Sequence, residues 1–103
     1  MELEWDINKE KRNIRKHKLN FSLATRMMSN PSASVIYDRY ENKEHRYHLM
    51  SFVEDTCLVM IHTYPDENDE NRVRIIGLRK ATAHERKRYE AHLREFGGYP
   101  RTH

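Results

Sequence analysis

Arg79 and Lys80 close an alternating run, Arg72-Val-Arg-Ile-Ile-Gly-Leu78, and stand just before Thr82 and Glu85. A further cation, Arg46, follows Glu44 by two residues at the head of another apolar run. Residues two apart on a strand share a face, so Glu44 and Arg46 are expected side by side. His17, His48 and Tyr47 add side chains able to move protons. Cations held at fixed positions stabilise a five-coordinate phosphorane by preorganised charge. This inventory suits cleavage of a ribose-phosphate backbone by its own 2′-hydroxyl. A base takes the hydroxyl proton, Arg46, Arg79 and Lys80 neutralise the phosphate, and an acid protonates the departing 5′-oxygen. Spacing does not choose the proton carriers among Glu44, His17, His48 and Tyr47. Taken alone, two cations at a strand end more often simply face water.

The elements that position these groups can be read from periodicity. Glu2-Leu-Glu-Trp5 alternates as a short strand, and Asp6 is an N-cap for a helix over 7–18. Ile7, Ile14 and His17 mark one side of that helix. The other carries Lys9, Lys11, Arg12, Arg15, Lys16 and Lys18 against one acid, Glu10. Lys9, Arg12 and Lys16, with Lys80, form the expected seat for RNA, although a solvated helix face has the same composition. Asn20 caps a second helix over 21–29, with Leu23, Ala24, Met27 and Met28 at core spacing, and Pro31 ends it.

From residue 34 the period changes to two. The pattern predicts a strand at 34–37, a polar turn over 39–43, and an antiparallel hairpin of 44–53 and 56–64 about Glu54-Asp55. A two-residue turn sets Val53 opposite Thr56. Met50, Phe52, Cys57, Val59 and Ile61 then share one face with Glu44 and Arg46, and Tyr47, His62, Leu49 and Met60 share the other. Asp66, Glu67, Asp69 and Glu70 make an exposed acidic loop. A last strand at 72–78 leads through the Thr82/Glu85 capping box to a helix from Ala83, with Tyr89, Leu93 and Phe96 facing the sheet. Gly97-Gly98 stops it. The order is β-α-α-β-β-β-β-α, an α+β fold with an antiparallel sheet and helices on one side.

The chain has 103 residues, enough for one domain, taken as 1–96 with a flexible tail over 97–103. Its charge is +3 overall, so the distribution of charge says more than the sum. A single cysteine, Cys57, excludes an internal disulfide and reads as a small core residue in a reducing compartment. Seven histidines show no standard metal-ligand spacing, and no glycine-rich phosphate loop is present. No cofactor and no metal are expected. The acidic N-terminus is unlike a signal peptide and no run is long enough to span a bilayer, so a cytoplasmic protein without membrane contact is expected.

Several runs together resemble the BrnT toxins of bacterial type II toxin–antitoxin systems. They are Glu4-Trp5-Asp6 with Lys9 and Asn13, Lys16-His17 with Phe21, Asn30-Pro31, Glu44-x-Arg46, and Arg74-Ile-Ile-x-x-Arg79-Lys-Ala-Thr82 with Glu85-Arg86 and Tyr89. The resemblance covers residues 2–90 and rests on order and spacing. It implies a RelE-like fold, an endoribonuclease that arrests translation and growth, and neutralisation by a BrnA-like antitoxin. The antitoxin would carry the contact to operator DNA, with a toxin–antitoxin heterotetramer as the expected assembly. The implied active cluster is Glu44, Arg46 and Arg79, with Lys16 and His17 as further members. Two departures stand out: Lys18 where the family has glycine, and Gly77-Leu78 where it has Ser-Ala. Two other readings stay open at this point, a non-catalytic basic module that binds RNA or protein, and a degenerate toxin that keeps only its antitoxin.

Overall fold

In the computed structural model, which describes residues 1–96, the elements run β1 (Glu2–Trp5), α1 (Ile7–His17), α2 (Leu23–Ser29), β2 (Ser34–Glu41), β3 (Glu44–Val53), β4 (Thr56–Thr63), β5 (Arg72–Lys80) and α3 (Ala83–Phe96). The five strands form one sheet in the order β1-β5-β4-β3-β2. The β3–β4 hairpin has the expected register, Val53 opposite Thr56 and Tyr47 opposite His62. The β2–β3 turn is tighter than expected. Asn42 and Lys43 both adopt positive φ, 51° and 63°, so β2 extends to Glu41. β5 likewise continues through Arg79 and Lys80.

The layer architecture departs from the sequence expectation in two ways, and some element details differ as well. The sheet is mixed, because β1 runs parallel to β5. Glu4 fixes that pairing by accepting from Arg72 Nε at 2.8 Å and Arg74 Nε at 3.0 Å, and the two guanidinium groups hold its carboxyl below the usual range. The helices also cover both faces. Phe21, Ala24 and Met27 pack with Leu49, Leu58, Met60, Val73, Ile75 and Leu78, while Tyr89 and Leu93 of α3 pack on the opposite face with Met50, Cys57 and Val59. Both faces of the β3–β4 hairpin are apolar, and each needs cover. Phe96, expected on the sheet, is 70% exposed. Ile7 and Ile14 are exposed too, and the buried residue of α1 is Asn13. α2 starts at Leu23 rather than Phe21. The tail expected over 97–103 lies outside the described residues. No described helix is long and apolar enough to cross a membrane.

Candidate functional site

β1 leaves the sheet at Trp5, so beyond Ile75 the outer edge of β5 has no strand beside it. α1 takes that place through one side chain. Asn13 donates Nδ2 to the Leu78 carbonyl at 2.8 Å and accepts the Leu78 N–H on Oδ1 at 3.0 Å. A side-chain amide thus completes the backbone pairing that a strand would have supplied. Asn13 also donates to the Leu19 carbonyl at 3.0 Å, which fixes the turn after the helix. In that turn Lys18 stands at φ 61°, the left-handed cap position for which glycine is best suited. The turn is kept despite the lysine, at a local conformational cost.

His17 follows Asn13 by one helical turn and comes to the end of β5. Burial and repulsion from Lys16 and Arg79 lower its pKa, so its imidazole is neutral near pH 7 and sits within the field of Arg79. Arg12 and Lys16 are exposed on the same helix, with Lys9 half-buried.

Arg79 does not stand between strand and helix. It is a strand residue opposite Val59, and Lys80 alternates to the other face. The Arg79 guanidinium is held by Glu85 in a two-pronged pair, Nη1 to Oε1 at 2.7 Å and Nη2 to Oε2 at 3.0 Å. Glu85 also forms the expected capping box: its Oε1 accepts the Thr82 N–H at 2.9 Å, and its own N–H donates to Thr82 Oγ1 at 3.1 Å. These donors hold its carboxyl at about 2, the Arg79 contact counting most, and raise the basicity of Arg79 in return. A residue read from sequence as helix punctuation therefore also aims the cation.

His48 lies on the same sheet face. It pairs with Ile61, which pairs with Gly77, two residues before Arg79. Its Nε2 is 3.4 Å from Asp38 Oδ2, which also accepts from Arg39 Nε at 2.9 Å. Asp38 sits at the irregularity in β2 between Tyr37 and Arg39, and its charge adds to the raised basicity of Arg79. Asp38 was missed from sequence; a carboxylate inside the run Val35-Ile-Tyr-Asp-Arg-Tyr40 was the one available signal, since aspartate is disfavoured in strands.

Glu44 and Arg46 are brought together, but not beside Arg79. Arg46 Nη1 contacts Glu41 at 3.0 Å and Nη2 contacts Glu44 at 3.7 Å, while its buried Nε has no acceptor. Two strand spacings and four residues of strand separate Arg46 from Arg79, roughly 16 Å between Cα atoms. As placed, each guanidinium is held by its own carboxylates and the two are not turned to a common point. The face instead presents a row, with Arg79 at one end, His48 and Asp38 in the middle, and Arg46 at the other. At Gly77 an added Cβ would lie 3.4 Å from Ile61 Cδ1 and 3.7 Å from Asn13 Oδ1, so the position has room for a small side chain. Among the described residues no three His, Cys, Asp or Glu side chains converge as a metal site.

No curated protein matches the chain. A family model, described as ribonuclease toxin, BrnT, of type II toxin-antitoxin system, matches residues 5–85, a span that contains every residue of the row, all of α1 and, at its end, Glu85. The chain belongs to the BrnT ribonuclease toxin family of type II toxin–antitoxin systems.

Proposed function

We propose that the protein is an endoribonuclease that cuts cellular RNA without a metal ion, through the substrate's own 2′-hydroxyl, and so arrests translation and growth. It acts in the cytoplasm until a BrnA-like antitoxin neutralises it in a heterotetramer, and operator DNA is reached only through that antitoxin. The observation that carries this reading is the row Arg79, His48–Asp38 and Arg46 on one sheet face, with His17 at its end.

Neutral His17 accepts the proton of the 2′-hydroxyl, and the 2′-oxygen bonds to phosphorus. The bond from phosphorus to the 5′-oxygen breaks, and that oxygen takes a proton from His48, oriented by Asp38. The products are a 2′,3′-cyclic phosphate and a 5′-hydroxyl. Arg79, aimed by Glu85, stabilises the charge on the phosphorane. Arg46 and the α1 cations Lys9, Arg12 and Lys16 hold neighbouring phosphates, with Glu44 keeping Arg46 in place. Removing Arg79 is expected to cost about 2–4 kcal/mol of transition-state stabilisation.

Inducible expression of wild type and Arg79→Ala, with growth and RNA integrity followed together, tests this directly. The wild type is expected to stop growth and fragment RNA, also when purified with EDTA present, and the variant to do neither. RNA left intact by the wild type, with Arg79→Ala and Arg46→Ala as inhibitory as wild type, would falsify it and favour a non-catalytic module.

A further inference from the structure

The sheet face opposite the row ends in a cleft of about 950 Å³ whose lining, Glu44 apart, the ribonuclease chemistry leaves unused. Its walls are aromatic. Tyr37 and Tyr40 lie against His45 with ring centroids at 5.6 and 4.9 Å. Tyr47 meets Tyr37 edge-on at 5.5 Å and Tyr64 at 5.0 Å. Tyr37 and Tyr40 remain 52% and 60% exposed.

The rim is acidic. Glu67 and Glu70, from the loop between β4 and β5, have no ion-pair partner among the described residues. Of the cations lining the cleft, Arg74 is held by Glu4 at 3.0 Å, which leaves Lys43. Carboxylates here disfavour a phosphate, whereas tyrosine faces backed by carboxylates attract a guanidinium or ammonium group. The opposite charge character of α1 makes the contrast sharper: one side of the molecule is built for anions, this one for cations.

The cleft also adjoins a free edge. β2 is the last strand of the sheet; Val35, which lines the cleft, is exposed, as is Ile36, which alternates to the other face. The irregularity at Asp38 leaves Ser34–Tyr37 as the longer regular stretch. An unpaired edge flanked by side-chain pockets is how extended segments are bound as an added strand.

We propose that this cleft and the Ser34–Tyr37 edge dock an extended basic segment of the antitoxin, with one of its arginine or lysine side chains entering the tyrosine cleft. The inference rests on the reading of the chain as a toxin with an antitoxin partner. Charge selects that occupant over RNA, and the contact lies on the face away from Arg79.

The test uses the full-length toxin, purified antitoxin protein and a single-stranded RNA oligonucleotide as probes. Two variants are compared with wild type, Tyr37→Ala/Tyr40→Ala and Glu67→Lys/Glu70→Lys, each checked for an unchanged thermal melt. Both are expected to weaken antitoxin binding by roughly tenfold or more, with wild-type binding falling as salt rises, and to keep RNA cleavage. Antitoxin affinity within about twofold of wild type for both variants overturns the proposal. So does a tyrosine variant that loses RNA binding instead, which marks a base-stacking subsite, or one that only changes the oligomeric state, which marks a contact between copies of the chain. A wild type that neither cleaves RNA nor binds antitoxin brings down the toxin reading as well. A wild type that does both while the variants behave like it refutes the docking site alone.

Discussion

Replacing Glu85 by Gln removes one charge and keeps the shape of the side chain. The amide oxygen still accepts the Thr82 N–H, so the helix cap survives, while the pair with Arg79 loses its ionic character. The size of the effect follows from the carboxyl, held at about 2 against an ordinary 4.5. That difference is about 3 kcal/mol if fully expressed in stability. The Glu85 side chain is 17% exposed and that of Arg79 26%, so solvent screens part of it, and about 2 kcal/mol is the expected loss near pH 7. The sign is fixed by the lowered pKa. The stabilisation is fully present above 4.5, falls as the pH drops through the window from 4.5 to about 2, and is gone below it. Urea denaturation of wild type and Glu85→Gln at neutral pH and at about pH 3 should therefore show a gap that shrinks to less than half. In the same variant Arg79 loses its counter-charge, so under the proposed function RNA should bind more tightly and not more weakly. A destabilisation below about 0.5 kcal/mol at neutral pH, or a gap that stays constant with acidification, would refute the argument that this ion pair joins β5 to α3.

Three further outcomes are expected. His62 is buried and its pKa is pushed down to about 4, chiefly by burial, so the unfolded chain takes up its proton before the folded one. Stability should fall as the pH drops from 6.5 towards 4, by up to about 3 kcal/mol, and His62→Gln should flatten that part of a denaturation-versus-pH curve. Asn13→Ala leaves the buried Leu78 N–H and C=O without partners, and should cost about 2–3 kcal/mol in chemical denaturation while loosening His17 from Arg79. Lys18→Gly relieves a positive-φ lysine and should raise stability by about 1 kcal/mol, read as a higher melting temperature, with ribonuclease activity unchanged.

The parts legible in the sequence were those fixed by local rules. Alternation and a two-residue turn set the β3–β4 register to the residue, and Thr82 with Glu85 announced the start of α3. What stayed hidden depends on contacts between distant segments. The parallel pairing of β1 with β5 joins residues about seventy positions apart through Glu4, Arg72 and Arg74, and nothing in a four-residue strand states its direction. The stripe Tyr89–Leu93 says that α3 packs on the sheet, yet the same stripe fits either face. The clue was on the strands, where Leu49, Leu58 and Met60 oppose Met50, Cys57 and Val59, so one layer of helices could not bury both sets. α1 misled for a different reason: its apolar residues Ile7 and Ile14 are exposed, and its anchor is a polar amide that no hydrophobic period reveals.

The same division runs through the site and explains its form. Arg79 could be picked out because a cation at a strand end next to a capping box is a local pattern. Its partners could not, because Glu85 already had a structural reading and Asp38 belongs to a strand three positions across the sheet. Yet those two acids set the electrostatics of the row. Glu85 orients Arg79 and Asp38 orients His48, so both of these groups are held by a carboxylate from another element. Neither acid is placed by its own segment alone: one needs α3 packed on the sheet, the other needs the bulged edge strand. A row assembled this way exists only in the folded sheet, and perturbing the fold at Asn13 or Glu85 must therefore disturb the chemistry as well as the stability.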